Sequence, residues 1–211
     1  GADLASRNDL AATCLLFEDG PTIAAFWRYY ICEGAPVFEQ SPELATLYLS
    51  WADAGWLRIT PGAYIDFNLI RDDLIADLER HGITRVGVDD WQANQFIADL
   101  QAEGYEPVAV KKTARNITEP TDEILARVKD QTFIHDGNPI SEWCATNVVA
   151  FRDENDNILP KRDKTKPLDK IDGFDALVNA NAVRLTYREE RQVSVYERRG
   201  LLGADEEEKR A

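Results

Sequence analysis

A chain of 211 residues with 44% hydrophobic content is long enough for one domain with a sizeable core, and it holds no apolar run of membrane-spanning length. Its formal net charge of −14 argues against a domain that grips a nucleic-acid backbone tightly on its own, because that affinity comes mostly from Lys and Arg; any DNA affinity is expected to be weak and local.

In chain order, residues 1–6, 10–17 and 22–32 read as three strands of an antiparallel meander. The last two are joined by the turn signal Glu18, Asp19, Gly20, Pro21. Ser41 followed by Pro42, Glu43 and Leu44 is a helix start, and Leu44, Leu47, Tyr48 and Trp51 keep helical spacing, so a helix is predicted over 41–54. Ile70, Leu74, Ile75 and Leu78 predict a helix over 66–81 that stops at His81 and Gly82, and the apolar stretch 83–88 behind it is a strand running into Asp89 and Asp90. A helix over 91–103, a strand over 105–110 and a helix over 120–130 follow. Val148 to Phe151, a turn rich in Asp and Asn, and a basic stretch broken by Pro160 and Pro167 read as a hairpin and a basic loop. Phe174, Leu177, Val178 and Val183 predict a closing helix over 171–187 with Asp172 and Asp175 in its first turn, where anionic side chains are favoured.

Beyond Arg188 the periodicity fades, and Asp205, Glu206, Glu207 and Glu208 read as solvated charge. The expectation is a domain over 1–189 and a flexible tail, acidic at its end, over 190–211. Antiparallel strands followed by strand–helix alternation predict an α/β class: a mixed sheet flanked by helices, in the order of the ribonuclease H-like fold.

Cys14, Cys32 and Cys144 are odd in number and lack C-x-x-C spacing, so reduced, buried thiols are expected in place of a zinc knuckle or disulfides. No charged-then-apolar leader is visible, and secretion is not favoured. The chain has no methionine and opens on Gly1 directly before a strand, as expected of a piece of a longer protein. No glycine is followed by Lys, so the phosphate loop of an ATPase is absent, and the lack of G-x-S-x-G with only two histidines excludes a serine hydrolase.

Three acids stand where chemistry is plausible: Asp3 in the opening strand, Asp89 at the carboxyl end of an apolar strand, and Asp172 at the start of the final helix. Strand ends of α/β sheets face the ligand crevice. If Asp3 and Asp89 lie on neighbouring strands their carboxylates converge, and two charges about 4 Å apart repel by roughly 4 kcal/mol at an effective dielectric near 20. A bound cation resolves that repulsion. Mg²⁺ or Mn²⁺ suits oxygen ligands, and two such ions can activate a water and stabilise the leaving oxygen of a phosphodiester. From position alone an isolated Asp at a strand end or helix start is more often a cap or turn residue, so position does not decide the role of any of the three. Asp175, one turn beyond Asp172, is a further metal-binding candidate. Lys161, Arg162, Lys164, Lys166 and Lys170, the densest basic run, are the candidate DNA contacts, with a plain solvated loop as the alternative. His135 reads as a ligand or a turn residue, His81 as a surface residue at a helix end, and the five tryptophans as core.

Val88, Asp89, Asp90, Trp91, Gln92, Ala93 resembles the Asp-Arg-Trp-Asn-Ala-Thr segment of the nuclease domain of tailed-bacteriophage terminase large subunits. Thr60, Pro61, Gly62, Ile65 and Asp66 are similar to that family's T-P-G-x-x-I-D. His135 to Pro139, with Trp143, Asn147 and Val148, resemble its H-G-G-N-P segment and the helix after it. Lys170, Ile171, Asp172, Gly173 and Ala176 match its K-I-D-G-x-x-A, and Ser194, Val195, Tyr196, Glu197, Arg199, Gly200 and Leu201 its usual tail. The resemblance runs through most of the chain in the family's order. It implies that Asp3, Asp89 and Asp172 are catalytic metal ligands of an endonuclease cutting concatemeric double-stranded viral DNA during packaging. The partners it implies are DNA, the terminase small subunit and the portal protein, in the host cytoplasm and transiently at the procapsid. Asp90 stands where the family has Arg and Gln92 where it has Asn, which alters the charge beside the site. The competing expectations are a resolvase or integrase on the same fold and a non-catalytic portal-docking module.

Overall fold

The computed structural model describes residues 1–5, 9–89, 93–154, 156–163, 165–166 and 168–188. The predicted meander forms as β1 (Ala2–Asp3), β2 (Ala11–Asp19) and β3 (Thr22–Cys32), antiparallel throughout. Asp19 pairs with Thr22 across the loop Gly20, Pro21, with Gly20 at φ 56°, a conformation that favours glycine and suits a two-residue hairpin loop.

After the short α1 (Val37–Gln40), Ser41 caps α2 (Pro42–Asp53) by accepting from the Leu44 N–H, and β4 (Leu57–Thr60) follows. Asp66 caps α3 (Phe67–His81), which Gly82 ends in the left-handed conformation. Then come β5 (Arg85–Asp89), α4 (Asn94–Ala102), β6 (Glu106–Val110), α5 (Ala114–Lys129), β7 (Phe133–His135), α6 (Pro139–Thr146), the hairpin β8 (Val148–Arg152) and β9 (Ile158–Arg162), and a closing helix, α7, over 172–188.

The sheet order is β4-β3-β2-β1-β5-β6, with β7 on the same edge of β3 as β4. β5 runs parallel to β1 and β6 parallel to β5, while β4 and β7 are parallel to β3. The expected mixed sheet with flanking helices is what forms. Among the described residues no helix is long and apolar enough to cross a membrane, and Cys14, Cys32 and Cys144 are free and buried.

Three expectations need correction. Pro120 does not open α5; that helix begins at Ala114 and runs through it, because Ile117, Pro120, Thr121 and Ile124 form one buried face that outweighs the missing proline N–H. β4 and β7, four and three residues long, carry too little periodicity to be read and form only because β3 offers them an edge. Of the tryptophans, Trp51 is buried and stacks on Tyr48, and Trp143 and Trp27 pack against the core. Trp56 is an exception, being exposed, and Trp91 lies outside the described residues.

α7 lies unusually close to the sheet centre. A Cβ at Gly87 in β5 would overlap the carbonyl of Asn179, and one at Gly1 would overlap the backbone of Ala176 and Ala180. The buried Asn179 side chain donates to the Ala2 carbonyl at 2.9 Å, and Asn181 donates to the Pro120 carbonyl at 2.8 Å. These contacts fix α7 over β1 and β5 and bring its first turn to their carboxyl ends.

Candidate metal centre

Ala2 pairs with Val88 across the parallel β1–β5 contact, so the next residue on each strand, Asp3 and Asp89, emerges side by side at the carboxyl end. Asp172 and Asp175 enter from the first turn of α7 and line the same cleft of about 470 Å³. The convergence inferred from the strand order is therefore present.

The sequence reading missed the group at its focus. Lys112, just beyond β6, places its ammonium 2.9 Å from Asp3 Oδ1, 2.7 Å from Asp89 Oδ2 and 3.0 Å from Asp175 Oδ2. A lysine two residues past a strand carries no sequence signal of this role; only the pairing of β6 with β5 brings it there. Asp9, also missed, binds the Lys170 ammonium and stands 3.5 Å from Arg162.

The electrostatics of the cluster are those of a site short of cation. Burial is the main cause that pushes the Asp3 carboxyl up to about 7; Lys112 pulls it down, while Asp175 and Asp89 add repulsion. Asp172 is held well above the ordinary carboxyl range, first by burial and then by Asp3, Asp9 and Asp175. Asp175 is raised by burial against the pull of Lys112. For Lys112, burial disfavours the ammonium, but the carboxylates of Asp3, Asp175 and Asp89 outweigh it and leave the net shift upward.

The donor set is all carboxylate oxygen, which fits a hard divalent ion of the Mg²⁺ or Mn²⁺ type. Among the described residues no group of three acids, histidines or cysteines stands preformed around an ion position. Three of the carboxylates here are drawn onto the Lys112 ammonium, so their present spacing is that of an ion-paired cluster.

The start of α7 is clamped. The Trp27 indole donates to the Gly173 carbonyl at 2.9 Å and the Asn147 amide to the Lys170 carbonyl at 3.0 Å. A side chain at Gly173 would overlap the Tyr29 hydroxyl, which itself bonds Ser141 Oγ at 2.8 Å. Gly173 beside Asp172 is thus a close-approach glycine.

The basic residues divide. Lys161 and Arg162, exposed on β9, line the cleft, and Lys161 sits over the Phe151 ring at 4.7 Å. Lys166 is exposed, and Lys164 lies outside the described residues. Lys170 departs from expectation: its side chain is 7% exposed and its ammonium is turned onto Asp9, an internal pairing. His135, read as a ligand or a turn residue, is the last residue of β7. Its Nδ1 accepts from the Gly137 N–H, its ring stacks on Phe133, and it lines a separate apolar groove with Trp27 and Phe174. His81 ends α3, edge-on to Phe17. The segments 90–92 and 194–201 and the expected tail lie outside the described residues.

A mixed sheet of this order, with acids at the adjacent ends of two central parallel strands and on a closing helix, defines a nuclease-type domain of ribonuclease H-like fold. The chain belongs to the family of the terminase large subunit, endonuclease domain, which matches residues 1–187.

It is 28% identical over 200 residues to protein YmfN of Escherichia coli (strain K12), covering 91% of this chain and 44% of that protein. It is 26% identical over 179 residues to the terminase large subunit of Enterobacteria phage HK97, covering 84% and 35%. This chain thus spans less than half the length of either. The crystal structure of the HK97 large terminase superposes with a TM-score of 0.74 at 25% identity, covering 86% of this chain and 38% of that one. The large terminase nuclease of thermophilic phage G20c, solved with bound magnesium, superposes with a TM-score of 0.55 at 17% identity over 86% of this chain and 78% of that one.

Proposed function

We propose that this domain is a divalent-metal-dependent endonuclease that cuts double-stranded, concatemeric viral DNA during genome packaging. The observation that carries the reading is the convergence of Asp3, Asp89, Asp172 and Asp175 on one cleft rimmed by Lys161 and Arg162. The magnesium of the distant G20c nuclease supports an oxygen-ligated ion of that kind.

Asp3, Asp89 and Asp172 would hold two Mg²⁺ or Mn²⁺ ions, with Asp175 as an outer-shell group or a ligand of the second ion. Bound there, such ions would lower the pKa of a water for in-line attack on phosphorus and offset charge on the leaving oxygen. The chain's own groups do the rest. Lys161 and Arg162 at the cleft, with the exposed Lys166 beyond β9, would hold the phosphate backbone without reading bases, which makes cleavage largely sequence-independent. Trp27 and Asn147 keep the start of α7, and so Asp172, in register with the strand ends. No step needs a nucleotide, in keeping with the missing phosphate loop. In the full-length protein the same domain would act beside the small subunit and the portal, in the host cytoplasm and at the procapsid.

One observation favours a second reading, a non-catalytic docking module: Lys112 already pairs with three of the four carboxylates. Incubation with supercoiled plasmid in Mn²⁺, in Mg²⁺ and in chelator separates the two. Nicking and linearisation in either metal and none in chelator is the expected result. Equal cutting in chelator, or none in metal, overturns the nuclease reading.

A further inference from the structure

The focus of the carboxylate cluster is filled by an ammonium whose three N–H donors have three carboxylate acceptors at 2.7–3.0 Å. A Mg²⁺ or Mn²⁺ ion takes such oxygens at about 2.0–2.2 Å, so an ion on the oxygens that now face Lys112 would lie within about 3–4 Å of its Nζ. At that distance a divalent ion repels the ammonium more strongly than a single carboxylate attracts it. The lysine and the ion cannot share those oxygens.

Lys112 has room to leave. It sits in the non-regular stretch between β6 and α5, its side chain is 32% exposed, and it borders the cleft. Its withdrawal needs no movement of the sheet or of α7, whereas the carboxylates are fixed to two central strands and a clamped helix. The charges that face it are Asp3, Asp89 and Asp175, with Asp9, Asp172, Lys161, Arg162 and Lys170 on the same cleft.

Building on the metal-dependent reading above, we propose that Lys112 is a resident counter-ion of this centre: its ammonium holds the carboxylates together before a divalent ion arrives, and must be displaced toward the cleft for the ion to bind. Lys112 therefore sets the metal affinity from within the site. It stabilises the metal-free fold and weakens divalent binding, so that loading is an exchange of one cation for another. No covalent bond is made or broken: three N–H···O contacts give way to metal–oxygen contacts, and the ammonium, still tethered to the chain, moves to the solvent side of the cleft.

The test is calorimetric Mn²⁺ titration of the domain and of Lys112→Met and Lys112→Arg, with the thermal midpoint recorded in chelator and at saturating Mn²⁺. Methionine keeps the apolar stem without the charge, and is expected to bind Mn²⁺ at least about tenfold tighter, to melt lower in chelator and to gain more on adding metal. Arginine keeps a cation and should stay near the wild-type affinity. Equal or weaker Mn²⁺ binding by a folded Lys112→Met protein overturns the exchange while leaving the nuclease reading intact; absence of Mn²⁺ binding in the wild type overturns both. Should Lys112→Met not fold, the wild-type protein decides. In a lysine side-chain ¹H–¹⁵N spectrum the Lys112 ammonium, assigned by its loss in Lys112→Arg, should shift or broaden in step with Mg²⁺ occupancy. A resonance unmoved at saturating Mg²⁺ overturns the proposal.

Discussion

At the scale of single residues, Asp3 separates what the site costs the fold from what it does for a metal. Burial, more than any other cause, pushes its carboxyl up to about 7 from an ordinary value of 3.8. A raised acid contributes stability that is fully present below its unfolded pKa and lost as pH rises through the folded one. In chelator, Asp3→Asn, which imitates the neutral acid, should therefore match the wild type near pH 4 and exceed it by on the order of 2–4 kcal/mol at pH 8. With saturating Mg²⁺ the order should reverse if Asp3 is a ligand as proposed, since a charged carboxylate binds a divalent ion more strongly than a neutral amide oxygen. A stability difference independent of pH would show that burial does not hold the Asp3 carboxyl above its ordinary range. The neighbouring clamp has a different character: Trp27 and Gly173 hold no charge, and act only on where Asp172 points.

At the scale of elements, the β8–β9 hairpin brings two exposed basic side chains, Lys161 and Arg162, to the acidic cleft. Exposed phosphate contacts act through counterion release, so each lost contact should lower the slope of log affinity against log salt by about 0.9. Charge reversal at Lys161 together with Lys166 is expected to weaken double-stranded DNA binding uniformly across sequences and to reduce the slope by about 2. An unchanged slope would identify the hairpin and the stretch after it as a solvated surface. Lys170→Glu should instead lower the melting temperature, because its ammonium is buried against Asp9.

For the whole molecule, the closeness of α7 to the sheet is what assembles the site. Gly87 is open to no side chain, so Gly87→Ala has to push α7 off β5 at Asn179. Overpacking of this kind costs about 1–3 kcal/mol. The prediction is a loss of that order in denaturant melts together with weakened Mn²⁺ binding, although Gly87 touches no acid. A folded Gly87→Ala protein with wild-type metal affinity would show that α7 can move without moving Asp172 and Asp175.

What the sequence determined by itself follows from repetition and local chemistry. The apolar spacing in α2, α3 and α7, the Gly20–Pro21 turn and the stop at Gly82 marked the elements, and strand–helix alternation gave the fold class, because burial of one face imposes a period on the chain. The acids Asp3, Asp89 and Asp172 were legible because each stands at the end of such an element, and the ordered K-I-D-G and H-x-G-N-P segments tied them to a family. The tertiary structure alone decided the rest. Lys112, Asp9, Trp27 and Tyr29 have no local pattern that distinguishes them from surface or core residues, and β4 and β7 are too short to carry one. Their roles exist only because strands and helices distant in the chain are brought within hydrogen-bonding range, and an ion pair between Lys112 and Asp3, 109 residues apart, leaves no trace in the residues beside either.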